Sequence, residues 1–96
     1  MLESMSGRGP VELQVFVESG CQPCERALEL AHEMDGAFSR LAVRIVDISE
    51  AGPHRDDVFA VPTFVLNDRV LSLGNPQRAE LRKEVQSLLR DSGLLD

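Results

Sequence analysis

Both cysteines of the chain, Cys21 and Cys24, stand three positions apart in the run Ser19-Gly20-Cys21-Gln22-Pro23-Cys24. Two thiols at that spacing can do together what neither does alone. The first attacks a disulfide as a thiolate, and the second displaces the mixed disulfide that results. A helix beginning at this point would favour that chemistry, because its first backbone N–H groups lack internal partners and its dipole is positive there, which supports the thiolate of Cys21. Cys24, one turn on, would lie on the same side and reach back. Pro23 stiffens the segment and removes an N–H that a first helical turn leaves unpaired in any case. Three plainer readings compete. A structural staple this short would contribute only about 2 kcal/mol by loop entropy. Structural zinc asks for four ligands, and the two histidines, His32 and His54, form no partnered spacing with the cysteines. Inert buried thiols remain open. A C-x-x-C beside a strand–helix–strand pattern favours redox chemistry over these.

The elements that must position this pair are legible in the periodicity. Val11 to Val17 alternates at first and then runs continuously apolar, which predicts a strand buried on both faces at its far end. It ends at Ser19-Gly20. From Cys21 or Gln22 to about Met34, the apolar positions Cys24, Ala27, Leu28, Ala31 and Met34 recur at three- and four-residue steps opposite Glu25, Glu29 and Glu33, which predicts an amphipathic helix. Ser19 or Gly20 would cap it, Gly36 would end it, and His32 would be a surface position. Leu41 to Ile48 is rich in β-branched residues and predicts a second strand, parallel to the first through a right-handed crossover. Ser49 to Asp57, with Gly52 and Pro53, reads as a loop or a short helix starting at Pro53. Thr63–Leu66 and Val70–Leu73, joined by Asn67-Asp68-Arg69, predict an antiparallel hairpin closed by Gly74. Asn75 as cap, Pro76 as first helical residue, and Leu81, Val85, Leu88 and Leu89 on one face predict a final helix to about Arg90. One sheet with helices on both faces would bury these elements.

Composition narrows the function classes. The chain has 96 residues, enough for one domain, and its 43% hydrophobic and 27% charged residues are those of an ordinary globular protein. With ten Lys and Arg scattered among sixteen acids and a net charge of −6, it offers no footprint for nucleic acid and would be repelled by an anionic membrane. No apolar stretch approaches the ~20 residues that span a bilayer. Met1 to Pro10 lack the apolar run of a secretory signal and read as a flexible leader, leaving residues 11–92 as the folded domain. The expected compartment is the cytosol, although a chain whose signal had been removed would look the same at its start.

With Cys-x-Pro-Cys opening a helix, Val61-Pro62-Thr63 ahead of a strand, and Gly74 ahead of a capped last helix, residues 11 to about 90 resemble the thioredoxin superfamily. The resemblance implies a thioredoxin-like three-layer α/β/α sandwich of minimal, glutaredoxin-like size around a four-stranded mixed sheet. It implies a cis bond before Pro62, with Pro62 against Cys21 and the backbone of Val61 pairing with an extended substrate segment. The implied function is thiol–disulfide exchange with a protein disulfide, Cys21 attacking and Cys24 resolving. Gly20, Gln22, Pro23, Val61, Pro62, Thr63 and Gly74 would shape the substrate site. An upstream dithiol reductase is the second implied partner, no organic cofactor or metal is implied, and the chain is expected to act as a monomer.

Departures from the family pattern bear on substrate range. Gly20 stands where thioredoxins carry a Trp, Val15 or Phe16 stands where they bury an acid, and Glu25 replaces a basic residue after the second Cys. The Tyr of the glutaredoxin motif and the paired glycines of its glutathione site are missing, so glutathione use is not supported. These absences motivate an alternative from another class, a thioredoxin-like peptide-binding or adaptor domain whose cysteines do not turn over.

Overall fold

The computed structural model describes residues 11–48 and 60–94. Along them run β1 (Glu12–Val17), α1 (Gln22–Ala37), β2 (Ala42–Asp47), β3 (Thr63–Leu66), β4 (Arg69–Leu73) and α2 (Arg78–Asp91). The strands form one mixed sheet in the order β2-β1-β3-β4. β1 is parallel to β2, with Val15 opposite Ile45, and antiparallel to β3, with Val15 opposite Phe64. The four-stranded α/β arrangement expected from the sequence is the one observed.

Position in the sheet explains the composition of β1. A strand with neighbours on both sides and side chains packed on both faces reads as a near-continuous apolar run, and Val15, Phe16 and Val17 are all buried. Val11, Leu13, Val15 and Val17 alternate onto one face. There they meet Cys24, Ala27, Leu30, Ala31 and Met34 of α1, Leu81, Val85 and Leu89 of α2, and Phe64 and Leu66 of β3 in one core. Phe16, Val46 and Val65 form a second, smaller cluster on the other face. Both described helices therefore lie on the same side of the sheet. The helix or loop expected from Ser49 to Asp57, which would supply the opposite layer, falls outside the described residues, as does the expected leader at Met1 to Pro10.

Several local expectations are corrected. Gly36 does not end α1. The helix runs to Ala37, and the chain leaves it at Phe38, whose N–H bonds to Met34 O at 3.0 Å. The Phe38 ring is buried and takes the Arg82 guanidinium over its face at 5.3 Å, so packing against α2 decides the exit. Leu28 is not a core position. It is 41% exposed, while Leu30 is fully buried. The hairpin turn has two residues, Asn67 and Asp68, both at positive φ (47° and 69°), and Arg69 already pairs with Leu66. Two left-handed residues in succession match the type I′ geometry that suits strand twist. Asn67 also holds the turn to the start of β1, its Oδ1 accepting from Glu12 N–H at 2.7 Å.

Candidate functional site

The path into the cysteine pair is set by a single turn. β1 ends at Val17, and Cys21 N–H then bonds back to Glu18 O at 3.3 Å across Ser19-Gly20. Gly20 sits at φ +79°, the left-handed backbone that the third residue of a type II turn demands. The turn delivers Cys21 as the N-cap of α1, still extended (φ −92°, ψ 108°), so neither Ser19 nor Gly20 caps the helix. Pro23 occupies the first turn, where its missing N–H leaves nothing unsatisfied. The two cysteines are joined in a disulfide with their Cα atoms 5.3 Å apart.

The pair is asymmetric. Cys24 faces inward with 3% of its surface exposed, part of the main core. Cys21 is only partly buried and lies in a recess of about 410 Å³ lined by Glu18, Ser19, Gly20, Gln22, Glu25 and Leu28 among others. One sulfur is thus presented to an incoming group and the other is held behind it. The positive end of the α1 dipole acts at the same point and supports negative charge developing on Cys21, while Pro23 has no N–H to offer and that of Cys24 already bonds to Cys21 O at 3.2 Å.

The second part of the expected site approaches from the hairpin. The Val61–Pro62 peptide is cis. Pro62 O accepts from Gly74 N–H at 2.7 Å, which ties the end of β4 to the start of β3. Thr63 is the one buried polar residue among those described, and its Oγ1 donates to Ala60 O at 2.6 Å, so its side chain serves the loop and not the surface. Val61 is partly exposed and packs on the same core as Cys21.

Asn75 joins the two parts. Its Nδ2 donates to Pro23 O at 2.9 Å. Sequence reasoning gave this residue a different task, as cap of the last helix with Pro76 opening it. In the structure Gln77 is the N-cap and α2 begins at Arg78, because the Asn75 side chain is already committed to Pro23. No local signal distinguishes the two uses. Gln22, Pro23, Cys21, Cys24 and Gly20 thus gather at one edge, held through Asn75 and Gly74 to Pro62, while Val61, Pro62, Thr63 and Gly74 do not themselves line the recess at Cys21.

Among the described residues no three His, Cys, Asp or Glu converge as a metal set, and no helix is long and apolar enough to cross a membrane. Fold and site together define a thioredoxin-like domain with its cysteine pair at a helix start. The family model described as a thioredoxin domain matches residues 11–86, and the chain belongs to that family. No curated protein matches it in sequence. Among solved structures it is similar to mitochondrial thioredoxin 3 of Saccharomyces cerevisiae in its oxidised form, at 20% identity and TM-score 0.66, covering 82% of this chain and 79% of that one. It is likewise similar to oxidised thioredoxin of Plasmodium falciparum, at 18% identity and TM-score 0.65, covering 83% and 82%. At these identities the likeness speaks to the fold. Family membership with a close cysteine pair supports thiol–disulfide oxidoreductase chemistry in general.

Proposed function

We propose that the protein reduces disulfides in protein substrates. The Cys21 thiolate attacks one sulfur of the substrate disulfide, forming a Cys21–substrate bond and releasing the other substrate sulfur as a thiolate that takes up a proton. The Cys24 thiolate then attacks Cys21 Sγ, closing the Cys21–Cys24 bridge and releasing the second substrate thiol. Two electrons pass from the enzyme dithiol to the substrate, and an upstream dithiol reductase returns them.

The observation that carries this reading is the asymmetry of the pair, with Cys21 partly exposed at the mouth of a recess and Cys24 buried one turn behind it. Attack and resolution need those unequal positions. Gly20, Gln22 and Pro23 would flank the attacked sulfur, and the backbone of the partly exposed Val61 would hold the substrate segment alongside, with Pro62, the buried Thr63 and Gly74 fixing that loop from beneath. The same proposal places the protein in the cytosol as a monomer, where a C-x-x-C pair serves as a catalytic and not a structural element.

The test is a redox titration. Protein equilibrated in dithiothreitol buffers of graded poise is trapped by alkylation and weighed, and the reduced form is assayed for insulin disulfide reduction. The expected result is one reversible two-electron couple at about −200 to −300 mV, the range of cytosolic dithiols, together with turnover. A pair that does not cycle would favour the adaptor reading.

A further inference from the structure

The recess at Cys21 does not end at Cys21. From Cys21 at the N-cap into α1, Glu25, Leu28, His32 and Asp35 follow at steps of four and three, so they form one stripe of the helix surface. The steps from Cys21 to Asp35 at helical rise carry that stripe roughly 21 Å. Its upper part lines the recess of the cysteine pair, and its lower part lines a second hollow of about 500 Å³ shared with Val43 and Ile45 of β2. Leu28 lines both. β2 is at the edge of the sheet, and Val43 and Ile45 alternate onto the face that α1 covers. The floor of this channel holds two of the three large exposed apolar side chains among the described residues, Leu28 at 41% and Ile45 at 44%.

Among the described residues the charged side chains that line the channel are carboxylates: Glu18 and Glu25 stand in the upper hollow and Glu29 and Asp35 in the lower one, and neither Lys nor Arg lines either. Glu29 also pairs with Arg26 at 3.3 Å on an exposed surface, an arrangement that solvent largely screens. A second copy of this chain, itself acidic, would set like charges against like there.

We propose that this channel is a docking surface for the disulfide-bearing partner, which it recognises by an extended segment of roughly six residues that alternates apolar side chains with Lys or Arg and leads into the reacting disulfide. The inference rests on the exchange function above and adds to it the class of partner. Apolar side chains of the segment cover Leu28 and Ile45, and its cations lie against Glu25 and Asp35.

The experiment uses the full chain in reduced form with three oxidised probes. These are hydroxyethyl disulfide, a disulfide peptide flanked by Leu, Val and Lys, and the same peptide with Glu for Lys. The Lys peptide is expected to react about tenfold faster than the Glu peptide at low salt, with the ratio shrinking as salt is added. Ile45→Ser combined with Asp35→Asn should lower that ratio severalfold and leave hydroxyethyl disulfide reduction unchanged. Peptides with Ser for Cys, followed by fluorescence anisotropy, read the channel without exchange chemistry and should show the same preference. Equal rates and equal binding for the two peptides would overturn the proposal, as would a dimer in sedimentation that Ile45→Ser dissolves. Failure of every probe to react, with the binding preference intact, would remove the exchange function and leave the docking surface standing.

Discussion

Asn75 reaches across 52 positions of sequence to hold Pro23, its Nδ2 lying 2.9 Å from the Pro23 carbonyl oxygen. Its neighbour Gly74 bonds to Pro62 O at 2.7 Å. Two consecutive residues thus fasten the cysteine turn and the Val61–Pro62 peptide to one another. Asn75→Ala removes the first fastening from an exposed position, where a neutral hydrogen bond is worth about 1 kcal/mol. The urea midpoint should fall accordingly. Asn75→Asp, which has no N–H to donate, should lose as much, and a variant of undiminished stability would show that the bond contributes nothing.

The division of labour between the cysteines predicts unequal variants. Cys24→Ser should accumulate a mixed disulfide between Cys21 and an oxidised protein, visible as an added mass under non-reducing conditions. Cys21→Ser should form none and show no turnover. Adducts in equal amount from both variants would remove the assigned roles.

Leu28 and Leu30 differ sharply in burial although they are two positions apart. Leu30→Ala should cost about 3 kcal/mol through lost transfer energy and a residual cavity. Leu28→Ala should change stability by no more than about 0.5 kcal/mol, as at other exposed sites. Thermal denaturation of the two variants decides the matter.

Gly20 and Gly74 both sit at positive φ, +79° and +109°, and an added Cβ would meet no atom within 4 Å at either. The penalty for alanine is then purely one of backbone conformation. Gly20→Ala should cost about 1 kcal/mol, the usual figure for a side chain in the left-handed region. Gly74→Ala should cost about 2 kcal/mol, since φ there lies beyond that basin. Chemical denaturation should rank them in that order.

Opening the Cys21–Cys24 bridge releases a short loop. By loop-closure entropy the oxidised form should be more stable than the reduced form by about 2 kcal/mol. Urea unfolding with and without dithiothreitol measures the difference directly.

The elements and the cysteine motif were legible because their signals are local. Apolarity that turns continuous toward its far end marked β1 as a strand covered on both faces there, β-branched residues marked β2, and Asn67-Asp68-Arg69 between two apolar runs marked the hairpin, although Arg69 already belongs to β4. Of the four positions expected on one face of the last helix, Leu81, Val85 and Leu89 are buried and Leu88 is partly buried against the same core.

What stayed hidden depends on neighbours that no local pattern names. Leu28 and Leu30 flank the same apolar stripe of α1, one on either side. The side of Leu30 is closed by α2, where Arg78 Nε lies 2.8 Å from Glu33 Oε2, whereas the side of Leu28 faces β2 at the sheet edge. Asn75 is equally suited to cap a helix or to bond a distant carbonyl, and only the arrival of Pro23 beside it selects the second use. Sequence alone determined that two thiols stand one helical turn apart at the mouth of a strand–helix junction, because spacing and periodicity are properties of the chain. Tertiary structure decided which sulfur faces outward, what pins the turn that carries them, and which apolar side chains remain uncovered, because each of these is set by contacts between segments far apart in sequence.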